Sequence, residues 1–246
     1  MIVRDRRLRW PIAAGFEAAV RNQAVSSVDR RAKYILIRLK SGTVILHLGM
    51  SGSLRLVGSG TPPKKHDHWD LVLDSGLALR FHDPRRFGSL LFTQDDPETH
   101  ALLKQLAPEP LSEEFNGEYL FKATRKRSVA IKQLIMNSHI VVGVGNIYAS
   151  EALFRARISP RRAAGRITRA EAGRLAKAIK AVLKAAIKIG GTTLRDYVNA
   201  DGAPGYFRQK LFVYERAREA CRVCKSPVKQ FTQGQRSTYW CSTCQR

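Results

Sequence analysis

The chain has 246 residues, with 43 Lys and Arg against 20 Asp and Glu and a formal net charge of +23. That excess goes beyond what solubility requires and points to a polyanionic partner, nucleic acid first. An apolar fraction of 44% allows a sizeable core and excludes global disorder. The longest apolar runs, such as Val44–Leu48, are far too short to cross a bilayer. Met1–Arg7 has no apolar signal segment, so a cytoplasmic protein with no membrane partner is expected.

From Val25 to Thr93 short Val-, Ile- and Leu-rich segments alternate with turn signals at Ser41-Gly42, Ser51-Gly52, Asp74-Ser75-Gly76 and Phe87-Gly88. This predicts several short strands in a sandwich or barrel. The connector Leu106-Ala107-Pro108-Glu109-Pro110 breaks the pattern, since proline disfavours helix at its own position and the one before. Helices are then predicted from about Lys126 to Asn137 and from Asn146 to Arg157. Between them, Gly143-Val144-Gly145-Asn146 reads either as a tight helix–helix connection or as an anion-binding turn, with Asn146 capping the next helix. Lys122, Arg125, Lys126, Arg127 and Lys132 cluster just upstream and favour the phosphate reading. A third helix opens on Thr168 with Glu171 in a capping box. Leu175, Ile179, Val182, Leu183, Ala186 and Ile187 form its apolar stripe, and Gly190-Gly191 ends it. The domains expected are 1–107, 108–208 and 209–246.

All four cysteines fall in the last 26 residues, as Cys221-x2-Cys224 and Cys241-x2-Cys244. Paired thiolate knuckles at this spacing suit a tetrahedral metal, and we expect one structural Zn2+ in preference to two disulfides. Four protein ligands leave no open position for catalysis. The segment from Ser226 to Trp240 is long enough for a hairpin with its turn near Gln233-Gly234. The tail is also basic, which by itself describes a generic nucleic-acid ribbon or a solvated face.

Several strings together resemble one family: Arg30-Arg31-Ala32-Lys33-Tyr34, His47-Leu48-Gly49-Met50-Ser51-Gly52, Lys65-His66-Asp67-His68, Asp83-Pro84-Arg85-Arg86-Phe87-Gly88, Gly143-Val144-Gly145-Asn146-Ile147-Tyr148-Ala149-Ser150-Glu151, Gly190-Gly191-Thr192-Thr193-Leu194 and the cysteine quartet. Their order, from about Ile2 to Gln245, is similar to that of the bacterial formamidopyrimidine-DNA glycosylases. The resemblance implies an α+β multidomain fold: an N-terminal β-sandwich, here incomplete, a helix–two-turn–helix bundle and a C-terminal zinc ribbon. It implies a monomeric base-excision repair glycosylase and abasic-site lyase, which removes 8-oxoguanine and formamidopyrimidines from double-stranded DNA and nicks by β,δ-elimination. The target base must leave the stack to be reached. Met50, Arg85 and Phe87 match the wedge that fills the vacancy, although Met50 and Phe87 taken alone read as core. Lys33 matches a phosphate-contacting lysine that assists proton transfer, and Arg236 an arginine at the damaged nucleotide with a role in δ-elimination. His66, Arg85, Arg127, Lys132 and Asn146 match DNA-binding positions. Asn199, Gly202, Gly205 and Tyr206 match a loop that covers the everted base.

One departure matters. The family works through an N-terminal proline amine that attacks C1′, with a glutamate beside it as general acid, whereas this chain opens Met1-Ile2-Val3-Arg4. We expect an N-terminally truncated sequence, with a genuine lesion binder lacking glycosylase activity as the alternative. As it stands the polypeptide is expected to bind DNA weakly with little or no base release. Two other classes compete: a non-enzymatic zinc-ribbon module for structured RNA, and an endonuclease VIII-like enzyme for oxidised pyrimidines. The wedge strings favour the purine branch by resemblance.

Overall fold

The computed structural model describes residues 1–190 and 211–246. They fall into two compact units, Met1–Lys104 and Gln105–Ile189 with the chain from Leu211 onward.

The first unit is the expected sandwich of two antiparallel four-stranded sheets. One has the order β2 (Val25–Arg31), β3 (Tyr34–Leu39), β4 (Gly42–His47), β8 (Ser89–Thr93). The other has the order β1 (Ile2–Val3), β6 (Asp67–Val72), β7 (Leu77–His82), β5 (Ser53–Gly58). The register Ile35↔Leu46 and Ile37↔Val44 sets apolar side chains of one face opposite each other. Ile37, Leu39, Val44, Leu46 and Leu90 meet Trp69 and Phe81, whose rings stack at 5.3 Å. Leu8, Ile12 and the short helix α1 (Phe16–Val20) complete this core with Phe16 and Val20.

A buried ion cluster ties β1, β6 and β7 together. Asp70, 1% exposed, accepts from Arg80 Nε at 2.9 Å and Nη2 at 2.8 Å, and from Arg4 Nη1 at 3.1 Å. Burial pushes the Asp70 carboxyl upward, but the hydrogen bonds from Arg80 and Arg4 outweigh it and hold the pKa down at about 2. The folded value lies below the unfolded one, about 3.9. Its stabilisation is therefore full above pH 4 and lost as pH falls through 2. Acid unfolding of this unit, followed by Trp69 fluorescence, is expected to concentrate in that window. Asp70→Asn should lower stability at neutral pH and flatten the acid dependence.

The second unit holds α2 (Gly117–Thr124), α3 (Ile131–Ile135), α4 (Asn146–Ala156), α5 (Arg169–Lys188) and the hairpin β9 (Lys229–Gln233)–β10 (Arg236–Trp240). In α5 Thr168 accepts from Glu171 N, and the Glu171 side chain returns to Thr168 N, the capping box read from the sequence. Leu175, Ile179, Val182, Leu183 and Ala186 are buried, but Ile187 is 66% exposed. At 100° per residue Ile187 lies about 120° from Leu175, past the edge of the buried arc. The helix expected from Lys126 shrinks to Ile131–Ile135. Before it, Lys126 sits in a left-handed turn at φ +58° and Ala130 is extended, with Ile131 N donating to Arg162 O and Ala164 N to Val129 O. Helix α2 is a further difference: it is only two turns long, capped by Asn116, whose side chain accepts from Tyr119 N.

Among the described residues, no helix is long and apolar enough to cross a membrane.

Candidate nucleic-acid interface and metal centre

In the first unit, two loops at one sheet edge are clamped by the Asp83 carboxylate, which is fully buried. It accepts from Ser51 Oγ at 2.6 Å and Gly88 N at 2.8 Å, while His68 Nε2 reaches the Asp83 carbonyl at 2.7 Å. Gly49 closes the junction. Its φ is +71°, and a Cβ there would lie 2.5 Å from the Phe87 carbonyl carbon, so only glycine fits. From this rigid base Met50 projects 66% exposed and Phe87 45% exposed, with the Arg85 guanidinium 4.8 Å above the Phe87 ring. A large apolar side chain left in water on a fixed loop is costly unless something covers it. The structure thus brings the three expected wedge residues together, and Met50 and Phe87 are not core.

Lys33 lies exposed in the β2–β3 turn beside Tyr34, and Tyr34 pairs in register with His47 at the end of β4. His47 was not singled out from the sequence, although it stands in one of the matching strings. Its Nδ1 accepts from Gly49 N at 2.9 Å, which leaves the ring proton on Nε2. Burial first, then the charges of Lys33 and Arg9, hold its pKa below the ordinary histidine value. His66 adopts φ +73° on the connection before β6, with its ring 6.1 Å from His82 and 6.4 Å from His68. Desolvation, then Lys65, the neighbouring histidines and Arg86, lower its pKa as well. This edge therefore collects cations while His47 and His66 tend to the neutral form.

In the second unit Arg127 is exposed on the segment after α2, while Arg125 is drawn inward over the Phe121 ring at 4.1 Å. Gly143 has φ +79°, as the turn requires. The N-cap of α4 is Gly145, not Asn146. Asn146 is spent elsewhere: its Nδ2 donates to Tyr214 OH at 3.2 Å and Ser237 O at 3.0 Å. Lys132, expected at a phosphate, is 1% exposed. Its Nζ donates to Asn146 Oδ1 at 2.6 Å, Thr238 Oγ1 at 2.6 Å and Ser237 O at 3.3 Å. Burial, then the charge of Arg236, brings its pKa down to about 8, so near neutral pH it is still mostly an ammonium with three protons for three acceptors. Arg236 itself is exposed at the start of β10. The positions Asn199, Gly202, Gly205 and Tyr206 lie outside the described residues.

Sequence reasoning gave Glu151 no role of its own, yet its fully enclosed carboxylate accepts from three successive backbone groups. Phe212 N and Val213 N lie at 2.9 Å and Tyr214 N at 3.0 Å. The available signal was a lone carboxylate among Ala149, Ala152 and Leu153, all buried on α4.

The Sγ atoms of Cys221, Cys224, Cys241 and Cys244 lie within 4.8 Å of one another. Cys224 and Cys241 approach to 3.3 Å and Cys221 and Cys244 to 4.0 Å. Tetrahedral thiolates about 2.3 Å from a zinc ion are roughly 3.8 Å apart, so the donor set fits such an ion. Both knuckles are backbone-bonded, Lys225 N to Cys221 O and Gln245 N to Cys241 O, each at 3.0 Å.

Comparison with known proteins agrees with these features. Residues 1–90 match the family model described as the formamidopyrimidine-DNA glycosylase N-terminal domain, and residues 106–198 that of its H2TH domain. The chain is 58% identical over all 246 residues to the formamidopyrimidine-DNA glycosylase of Thioalkalivibrio sulfidiphilus, of which it covers 91%. It is 55% identical to that of Stutzerimonas stutzeri over the same shares. Among solved structures it resembles MutM (Fpg) of Thermus thermophilus with a TM-score of 0.84 and 38% identity, covering 100% of this chain and 92% of that one. It also resembles Lactococcus lactis Fpg bound to abasic-site DNA, with a TM-score of 0.90 and 28% identity, covering 100% and 90%.

Proposed function

This chain belongs to the formamidopyrimidine-DNA glycosylase family, and we propose that, with the family's Pro-Glu opening in place, it acts on duplex DNA containing oxidised purines or abasic sites, as a glycosylase and lyase of base-excision repair in the bacterial cytoplasm. The observation that supports this most is the exposed trio of Met50, Arg85 and Phe87 on a buried carboxylate clamp. Two apolar side chains can replace the stacking lost when a base is everted, and the guanidinium can hydrogen-bond the orphaned partner base. Lys33 and His66 would take phosphates on the sandwich side, with Lys33 also assisting proton transfer. On the helical side Arg127 and Arg236 supply cations, Arg236 at the damaged nucleotide. Asn146 and Lys132 back that surface from within. Phosphate contacts of this kind give affinity and salt dependence without reading sequence. The cysteine quartet would hold one Zn2+, which with four thiolates serves folding. The protein is proposed to work as a monomer.

The chemistry has its own test. Borohydride reduction on an abasic duplex traps an imine between an enzyme amine and C1′. The 246-residue polypeptide, which opens on Met1-Ile2, is expected to give no adduct. The same polypeptide preceded by the family's Pro-Glu opening is expected to give one. An adduct from the former would place the imine on another amine, Lys33 first, and no adduct from the latter would overturn the lyase reading. A non-enzymatic ribbon for structured RNA leaves the exposed trio without a purpose.

A further inference from the structure

Among the described residues Lys132 is the most deeply buried cation of the second unit; two of its three hydrogen bonds end on Ser237 and Thr238, next to Arg236, and the third on Asn146 of α4. Thr238 Oγ1 accepts from Lys132 Nζ at 2.6 Å, which leaves the hydroxyl proton directed at the Arg236 carbonyl, 3.5 Å away. Ser237 O receives both Lys132 Nζ and Asn146 Nδ2. The next residue of α3, Gln133, meets the hairpin tip: a methyl group added at Gly234 would lie 2.8 Å from its Nε2. The outer side of the hairpin is held too. Arg161 lies 4.0 Å above the Phe231 ring, and Gln233 Nε2 donates to Pro160 O at 3.3 Å. The backbone around Arg236 is thus fixed from both sides, while its own side chain has no hydrogen bond or ion pair among the described residues.

We propose that Lys132 is a positioning residue for Arg236: its ammonium pins Ser237 and Thr238 to α3 and α4 and thereby presents the guanidinium to the DNA backbone, without itself contacting phosphate. A two-stranded hairpin with a two-residue tip has little stability of its own. Its register on the helices must come from groups such as this one. A buried ammonium is also a poor phosphate ligand, since it would have to exchange three satisfied bonds for one. The inference rests on the proposed role of Arg236, and its test separates the two.

The experiment is a double-mutant cycle on affinity for a duplex with an abasic-site analogue, using the full metal-loaded chain. Lys132→Met is expected to weaken binding about tenfold in the parent and less than twofold beside Arg236→Ala, because coupled residues give non-additive effects. Thr238→Val leaves every charge in place and is expected to reproduce the pattern, which keeps the test valid if Lys132→Met folds poorly. Equal losses in both backgrounds overturn the inference, since a direct phosphate ligand or a merely loosened fold would weaken binding with or without Arg236. If Arg236→Ala alone leaves affinity unchanged, the role of Arg236 falls and the inference with it.

Discussion

Exchange of Glu151 for leucine is expected to cost the second unit about 3–9 kcal/mol, because each of three enclosed N–H groups left without an acceptor costs roughly 1–3 kcal/mol. The carboxylate stands under Phe212, Val213 and Tyr214 and accepts from all three. Leucine has a similar volume but offers no lone pair, so packing is nearly kept while three donors are orphaned. Native domains hold only about 5–15 kcal/mol in total, so such a loss consumes much of the margin. The midpoint of thermal unfolding should fall by about 10 °C or more. Glu151→Gln tests the same point more finely. Its amide oxygen can still accept at Val213 and Tyr214, but its NH2 faces Phe212 N–H donor to donor, so an intermediate loss is expected. Calorimetry on the three proteins decides the matter, and a leucine variant melting within a degree or two of the parent would show that these bonds do not hold the segment. Tyr214 carries the effect further, since its hydroxyl accepts from Asn146 and its ring meets Tyr239 edge-on at 4.9 Å.

Removal of the proposed Zn2+ is expected to have the larger effect on DNA binding. The apolar cluster around the quartet is small: Phe154, Val213, Cys221, Val228 and Cys241, with Phe212 stacked on Phe154 at 5.4 Å. Two of its five buried members are cysteines. Structural zinc in finger peptides contributes about 10–16 kcal/mol at neutral pH, far more than such a cluster can supply. Without the ion, four thiols would remain around an uncompensated centre, and β9–β10 should detach with Arg236. The helices should persist, because their core around Leu120, Ile135, Leu153 and Leu175 contains none of the four sulfurs. A strong chelator, or Cys241→Ser, is therefore expected to lower affinity for an abasic duplex by about a hundredfold, near 2.8 kcal/mol at about 1.4 kcal/mol per decade. Helical circular dichroism should change little. Elemental analysis should return one zinc per chain, and a demonstrably metal-free protein that binds DNA with full affinity would contradict this account.

Much of the architecture was legible because its signals are local. Turn residues between β-branched runs gave the sandwich, the Thr168–Glu171 pair gave the start of α5, and the spacing of two C-x2-C knuckles gave the thiol cluster. Gly234 and Gln235, with φ +53° and +58°, form the finger hairpin's two-residue turn, one residue along from the Gln233-Gly234 expected. What the sequence could not show was direction. Met50 and Phe87 have the residue types of a core, and only the clamp of Asp83 on Ser51 and Gly88 turns them outward. Lys132 has the residue type of a surface cation, and acceptors distant in the chain at Asn146 and Thr238 turn it inward. Glu151 and Asp70 escaped notice for the same reason, since their partners lie 61–63 and 10–66 residues away. Long-range pairing of polar groups leaves no periodic trace, whereas helix caps and turns are written within four residues.

Lesion preference in equilibrium binding tests the central claim most directly. Three duplexes of one sequence would be compared at fixed salt: intact, with one 8-oxoguanine, and with one abasic-site analogue. A protein that fills a vacated stack with Met50 and Phe87 should hold the two damaged duplexes at least tenfold more tightly, about 1.4 kcal/mol. That preference should vanish when both residues become alanine, while affinity for the intact duplex stays nearly the same. Equal affinity for all three duplexes, unmoved by the double exchange, would contradict it.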